Sequence, residues 1–220
     1  RWWDSNPQRA LANNSYVIDE DPNIGVFMKE WQALYDSKSG ERGIFSRKAA
    51  RNNAEKHGRD PNHEFGTNPC SEIILRSRQF CNLTEVVARA GDREADLKRK
   101  IRIATILGTF QATLTNFKYL TRKWKENCVE ECLLGVSITG ILDSEITAYP
   151  SGKFLEEMTA YAVEVNKEWA AKLGINPAAA ITCVKPSGTV SQLVDASSGI
   201  HARHSPFYVR TVRADKMDPL

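Results

Sequence analysis

The stretch that decides the reading of this chain is Gly66-Thr67-Asn68-Pro69-Cys70-Ser71-Glu72-Ile73, followed at Cys81-Asn82-Leu83 by a second cysteine. Asn68, Cys70 and Glu72 alternate, so in an extended loop all three side chains project to one side. An amide, a thiol and a carboxylate then converge on one substrate. Asn68 can hydrogen-bond a diol, Glu72 can deprotonate a hydroxyl, and Cys70 can present its sulfur to a carbon of the same molecule. Taken alone, the same residue types also describe a small buried cysteine and a solvated loop acid.

Outward from this motif, residues 73–75 and 80–87 are short apolar runs of strand character. On the other side, Ser46 caps a polar helix running to about His57; Gly58, Pro61 and Gly66 then break regularity, and residues 67–70 read as loop. Residues 10–18 (ALANNSYVI) read as a strand edge. Residues 26–35, with Phe27, Trp31 and Leu34 at helical spacing, predict a helix ending near Gly40. Downstream, Asp92 caps a long amphipathic helix through Leu97, Ile101, Ala104, Leu107 and Leu114, with Gly108 tolerated inside it. Residues 133–142 (LLGVSITGIL) read as a buried strand. Ser151 starts a helix through Phe154, Met158, Tyr161, Val165 and Trp169 that Gly174 stops. Residues 181–184 form a strand leading into Lys185-Pro186-Ser187-Gly188-Thr189, and residues 207–212 a last strand. Strands alternating with crossover-length helices predict an α/β architecture with a largely parallel sheet.

The chain has 220 residues, 41% of them hydrophobic, enough for a sizeable core in one or two domains. Thirty basic against 27 acidic residues leave a net charge of +3, mixed along the chain, so composition points to neither a nucleic-acid nor a membrane surface. No apolar run approaches a membrane span and Arg1-Trp2-Trp3-Asp4 has no signal-peptide pattern, which makes a cytoplasmic location the default expectation. Five cysteines without framework spacing fit poorly with a disulfide-stapled secreted domain. The start without Met and the abrupt ends suggest a piece of something longer.

The motif NPCSEI followed by CNL is similar to the active-site signature of ribonucleotide reductases, and the short separation of Cys70 from Cys81 resembles the adenosylcobalamin-dependent class. The resemblance implies that Cys70 becomes a thiyl radical removing the ribose 3′ hydrogen. Glu72 is then the base on the 3′ hydroxyl, Asn68 orients the substrate hydroxyls, and Cys81 is one half of the redox pair that reduces the 2′ carbon. It implies the family's ten-stranded α/β barrel, of which this single unit, residues 1–220, is half or more, with a central finger loop at about 66–75 carrying Cys70. It also implies adenosylcobalamin as radical source, because no side chain makes a thiyl radical by acid-base means alone. The partners implied are a ribonucleoside triphosphate, a thioredoxin-type reductant and a nucleotide effector bound outside this chain, with no membrane or nucleic acid. The loop Lys185-Pro186-Ser187-Gly188-Thr189 resembles the family's substrate-phosphate loop, at about 185–190, so Ser187, Gly188 and Thr189 are the expected substrate-binding residues. By itself PSGT also fits a plain capped turn. Residues 199–205 resemble the segment near the barrel end, and Asn13-Asn14-Ser15, Gly43-Ile44-Phe45, residues 135–140 and Arg210 extend the resemblance over most of the chain.

The family's redox disulfide needs a partner cysteine on a strand of the first barrel half, and no cysteine precedes Cys70 here. The C-terminal cysteine pair that passes electrons inward is also missing, so the segment is expected to hold the site without turning over. Cys128 and Cys132 share one face of a helix with no third or fourth ligand, and a structural role is expected; no metal site is read. Cys183 reads as core, and His57, His63, His201 and His204 as solvated loop residues. The basic run within residues 93–102 reads as a solvated helix face. Two rival readings are a metal-dependent reductase large subunit acting on ribonucleoside diphosphates, and a non-catalytic nucleic-acid-binding module built on residues 98–102.

Overall fold

The computed structural model describes residues 15–38, 43–209, 211 and 216–217. The order of elements is β1 (Ser15–Ile18), α1 (Ile24–Ser37), β2 (Gly43–Ser46), α2 (Arg47–Lys56), β3 (Phe65–Thr67), β4 (Ile74–Arg76), β5 (Asn82–Val87), α3 (Glu94–Ala112), α4 (Arg122–Glu131), β6 (Leu134–Thr139), α5 (Glu145–Ala148), α6 (Gly152–Leu173) and α7 (Gly188–Leu193). β1 pairs with β2 and β5 with β6 in parallel, while β3 and β4 form an antiparallel hairpin. The described strands thus make three two-stranded sheets, one of them antiparallel, rather than one large parallel sheet.

The β5–β6 pair is the organising layer, and its two faces differ in chemistry. Leu134 and Val136 of β6 and Val86 of β5 pack with Leu97, Ile101 and Ala104 of α3 and Ala162 of α6 in the main core. The alternate residues of the strands point the other way, as a period of two requires. There Ser137 Oγ accepts from the Lys185 amide at 3.0 Å, and Thr139 Oγ1 donates to the Ser197 carbonyl at 2.9 Å. One face is therefore dry and covered by helices; the other is polar and covered by loops. Gly108 lies where α3 crosses β6: an added Cβ would sit 3.4 Å from a Leu134 methyl. A glycine inside this helix lets the sheet approach closely.

Local capping follows the sequence closely. Ser46 and Ser151 accept from the amides of Ala49 and Phe154, both at 3.1 Å, and Gly174 ends α6 in the left-handed conformation at φ 68°. Four expectations are corrected. Arg93, not Asp92, is the cap of α3, with Asp96 accepting from the Arg93 amide at 3.1 Å; the Asp92 carboxylate turns back to the Arg89 amide and to Lys100. Leu114 lies beyond the end of that helix. Residues 181–184 contribute a single parallel bridge, Thr182 to Val136, because the Lys185 amide turns away to the Ser137 hydroxyl and ends the ladder. Residues 207–209 are irregular, with Phe207 91% exposed, and no strand among the described residues pairs with them. Arg210 and residue 212 of that predicted strand lie outside the described residues, as do Gly40, residues 10–14 and the Asn13-Asn14 pair.

A buried charge cluster fastens the β3–β4 hairpin to α4. Arg59 donates from Nε and a terminal nitrogen to both oxygens of Glu131, at 2.9 and 2.8 Å, and to the Ile74 carbonyl at 2.9 Å. Arg76 reaches Glu131 at 3.1 Å and Gln79 donates to it at 2.6 Å. Burial alone would raise the Glu131 carboxyl, but the hydrogen bonds of Arg59 and Gln79 and the charges of Arg59 and Arg76 outweigh it and hold it below its ordinary value.

Candidate active site

The loop joining β3 to β4 carries Cys70, and it is a closed turn rather than the extended loop that alternation implied. The Ser71 amide donates to the Asn68 carbonyl at 3.0 Å, and Ser71 takes a left-handed φ of 65°. The Asn68 side chain closes the turn from inside: Oδ1 accepts from the Ile73 amide at 3.0 Å and Nδ2 donates to Glu72 Oε1 at 2.5 Å. Asn68 and Glu72 do meet, by closure of the turn. Cys70 is lifted to its exposed tip.

The Glu72 side chain is 5% exposed, and Lys185 Nζ lies 2.9 Å from the same oxygen that Asn68 holds. The other oxygen, Oε2, is buried without a hydrogen-bond partner. A buried carboxylate with one oxygen fixed and one open is costly unless it has a further donor to meet. Burial would lower the Lys185 ammonium, but Glu72 and then the nearby Cys70 outweigh this and hold it above its ordinary value.

The polar face of β5 and β6 forms the floor. Cys81 is half-buried just before β5 and, with Asn68 and Pro69, lines a groove of about 590 Å³ along the hairpin. Burial, then the charge of Glu72, push its thiol up. Gly135 leaves room for the loop: an added Cβ would lie 2.5 Å from Leu83 and 3.0 Å from Ile73, at the foot of the turn, and 3.2 Å from Cys183 Sγ. Cys183 is therefore half-buried on the site face rather than packed in the core. Burial and the neighbouring Glu72 and Cys81 push its thiol up to about 12.

The second predicted loop meets the first through the Lys185–Glu72 contact. Ser187 is buried with φ 56°, and α7 begins at Gly188. The Ser187 hydroxyl donates to Glu85 of β5, whose carboxyl burial raises above its ordinary value. Gly188 and Thr189 are exposed. Beneath the loop, Gly199 approaches so closely that a Cβ would fall 2.6 Å from the Lys185 carbonyl. That close approach is what the 199–205 segment contributes. Sequence reading missed Lys185, Cys183 and Glu85 as neighbours of the motif; their spacing by two from one another or from Cys81 and Leu83 was the available signal.

The remaining chemistry-bearing residues lie elsewhere. Cys128 Sγ accepts from the Phe80 amide and Cys132 is buried at the end of α4. His57, His201 and His204 are exposed, while His63 is half-buried edge-on to Phe65 and 3.3 Å from Asp60. The basic run on α3 is engaged within the chain: Lys100 with Asp92, Arg102 with Glu168, and Lys98 over the Tyr161 ring.

The fold is similar to that of a crystal structure of a B12-dependent (class II) ribonucleotide reductase, with a TM-score of 0.56 over 85% of this chain and 34% of that one, at 19% identity. In sequence the chain is homologous to proteins named adenosylcobalamin-dependent ribonucleoside-triphosphate reductase. It is 27% identical to that of Lactobacillus acidophilus, 29% to that of Lacticaseibacillus paracasei and 26% to that of Lactobacillus leichmannii, in each case over 96% of its own length. The chain spans 32% of the length of these relatives. No family model matches it. No helix among the described residues is long and apolar enough to cross a membrane.

Proposed function

We propose that this chain is the catalytic-centre segment, one barrel fragment, of an adenosylcobalamin-dependent ribonucleoside-triphosphate reductase. The observation that carries the reading is Glu72: a buried carboxylate, held at one oxygen by Asn68 and open at the other, beside an exposed thiol on a turn. In this reading Cys70, as a thiyl radical, takes the ribose 3′ hydrogen while Glu72 Oε2 accepts the proton of the 3′ hydroxyl. The 2′ hydroxyl leaves as water. Cys81 and a partner cysteine outside this chain supply two electrons and two protons, one proton to the departing water and one to the 2′ carbon, and become a disulfide; the 3′ hydrogen returns from Cys70 and the 3′ hydroxyl proton from Glu72. A thioredoxin-type reductant then restores the dithiol.

Adenosylcobalamin, when bound, would supply the one-electron oxidation that no side chain provides. The exposed Cys70 sulfur fits a thiol that must be reached by such a source, and none of the described residues is assigned to holding the cofactor. Gly188 and Thr189 are open for the substrate phosphates; Ser187 could join them only by leaving Glu85. The relatives and the structural neighbour are all cobalamin-dependent, which gives the metal-dependent diphosphate reading no support. The internally paired basic run gives none to a nucleic-acid module.

The test is tritium release from 3′-labelled ribonucleoside triphosphate by the full-length protein. Cys70→Ser should release none, because an alcohol O–H is far harder to convert to a radical than a thiol S–H. Cys81→Ser should still release tritium but decompose the substrate instead of giving deoxynucleotide. Release from Cys70→Ser equal to wild type contradicts the reading.

A further inference from the structure

We propose that Lys185 is a positioning residue for the Glu72 carboxylate, fixing Oε1 so that the unpartnered Oε2 is the atom presented to the substrate hydroxyl. The inference rests on the reading of Glu72 as base and goes beyond it, because it gives the loop at 185–189 a task other than contact with phosphate.

Two observations support it. Lys185 Nζ and Asn68 Nδ2 meet the same carboxylate oxygen, at 2.9 and 2.5 Å, so the group is gripped at one oxygen from two directions and cannot turn without losing both donors. The Lys185 backbone is itself anchored, its amide on the Ser137 hydroxyl of β6 and its carbonyl against Gly199, so the ammonium is delivered from a fixed point on the floor of the site. A lysine used mainly for a phosphate would leave its ammonium free toward solvent. Here its side chain is 24% exposed and directed to the carboxylate.

The experiment uses the full-length reductase with Lys185→Met, which removes charge and donors at similar bulk, and Lys185→Arg, which keeps both. Loss of positioning should lower kcat about 100-fold, since small misplacement of a catalytic group is felt on that scale, with KM changed by less than about threefold. Lys185→Arg should recover most of the loss, and the melting temperatures should stay close to wild type. An unchanged kcat, or a raised KM with kcat intact, overturns the proposal; the second pattern would make Lys185 a ground-state phosphate contact. A joint fall in kcat and melting temperature that Arg does not repair also overturns it, as a merely structural role. Should Lys185→Met fail to accumulate folded, Lys185→Gln is measured against the same outcomes. Cys70→Ser run alongside separates the two levels. If it keeps tritium release, the reading of the site fails; if it is silent while Lys185→Met is normal, only the lysine assignment fails.

Discussion

Glu72 and Glu131 are both buried carboxylates beside basic side chains, and they are satisfied to different degrees. Glu131 meets Arg59 through both oxygens, together with Arg76 and Gln79. Glu72 is held at one oxygen and open at the other. A saturated carboxylate has no capacity left for a substrate, and what it contributes is rigidity: it clamps the root of the hairpin to α4. The half-satisfied carboxylate at the tip of the same hairpin has kept capacity for a ligand at a cost in unsatisfied polarity. The difference separates a frame at the root of one hairpin from a site at its tip.

Glu131→Ala should break this contrast most severely. Leaving Arg59 and Arg76 buried without their acceptor should destabilise the protein by about 3–5 kcal/mol in denaturant unfolding. Gly135→Ala comes next: with a methyl group forced against Leu83 and Ile73, about 1–3 kcal/mol is expected, together with reduced turnover, because Ile73 is the foot of the Cys70 turn. A smaller effect concerns pH. Because the Glu131 carboxyl is held below its ordinary value when folded, its contribution is complete above about pH 4.3 and is lost as pH falls through the lowered folded value. Glu131→Gln should therefore show a flatter dependence of melting temperature on pH in the acid range than wild type. An equal slope would remove Glu131 from the acid-sensitive groups.

Features set by a few neighbouring residues were legible in the sequence. Ser46, Ser151 and Gly174 punctuate their helices as read, since a cap needs only its own turn. The meeting of Asn68 with Glu72 was also foreseen, but from extension, whereas Pro69 and the left-handed Ser71 close a turn that brings them together. Asp92 was misplaced as a cap because Lys100, a helix turn and more away, competes for its carboxylate. Lys185 lies more than a hundred residues from Glu72, and only the packing of two loops on the β5–β6 floor joins them. Cys183 read as core for the same reason: the gap left by Gly135 brings the site to it. The strand expected at residues 207–212 depended on a pairing partner that local sequence does not reveal.

The most direct measurement of the central claim is made on Glu72→Gln in the full-length protein, with unfolding free energy and turnover determined on one preparation. The neutral amide keeps the shape, removes a buried and half-satisfied charge, and leaves a lysine that water can reach. Stability should stay within about 1 kcal/mol of wild type, while turnover should fall by about 100-fold or more, the scale of a lost general base. A variant that loses several kcal/mol, or one that turns over normally, would contradict the assignment of Glu72 to chemistry rather than to the frame.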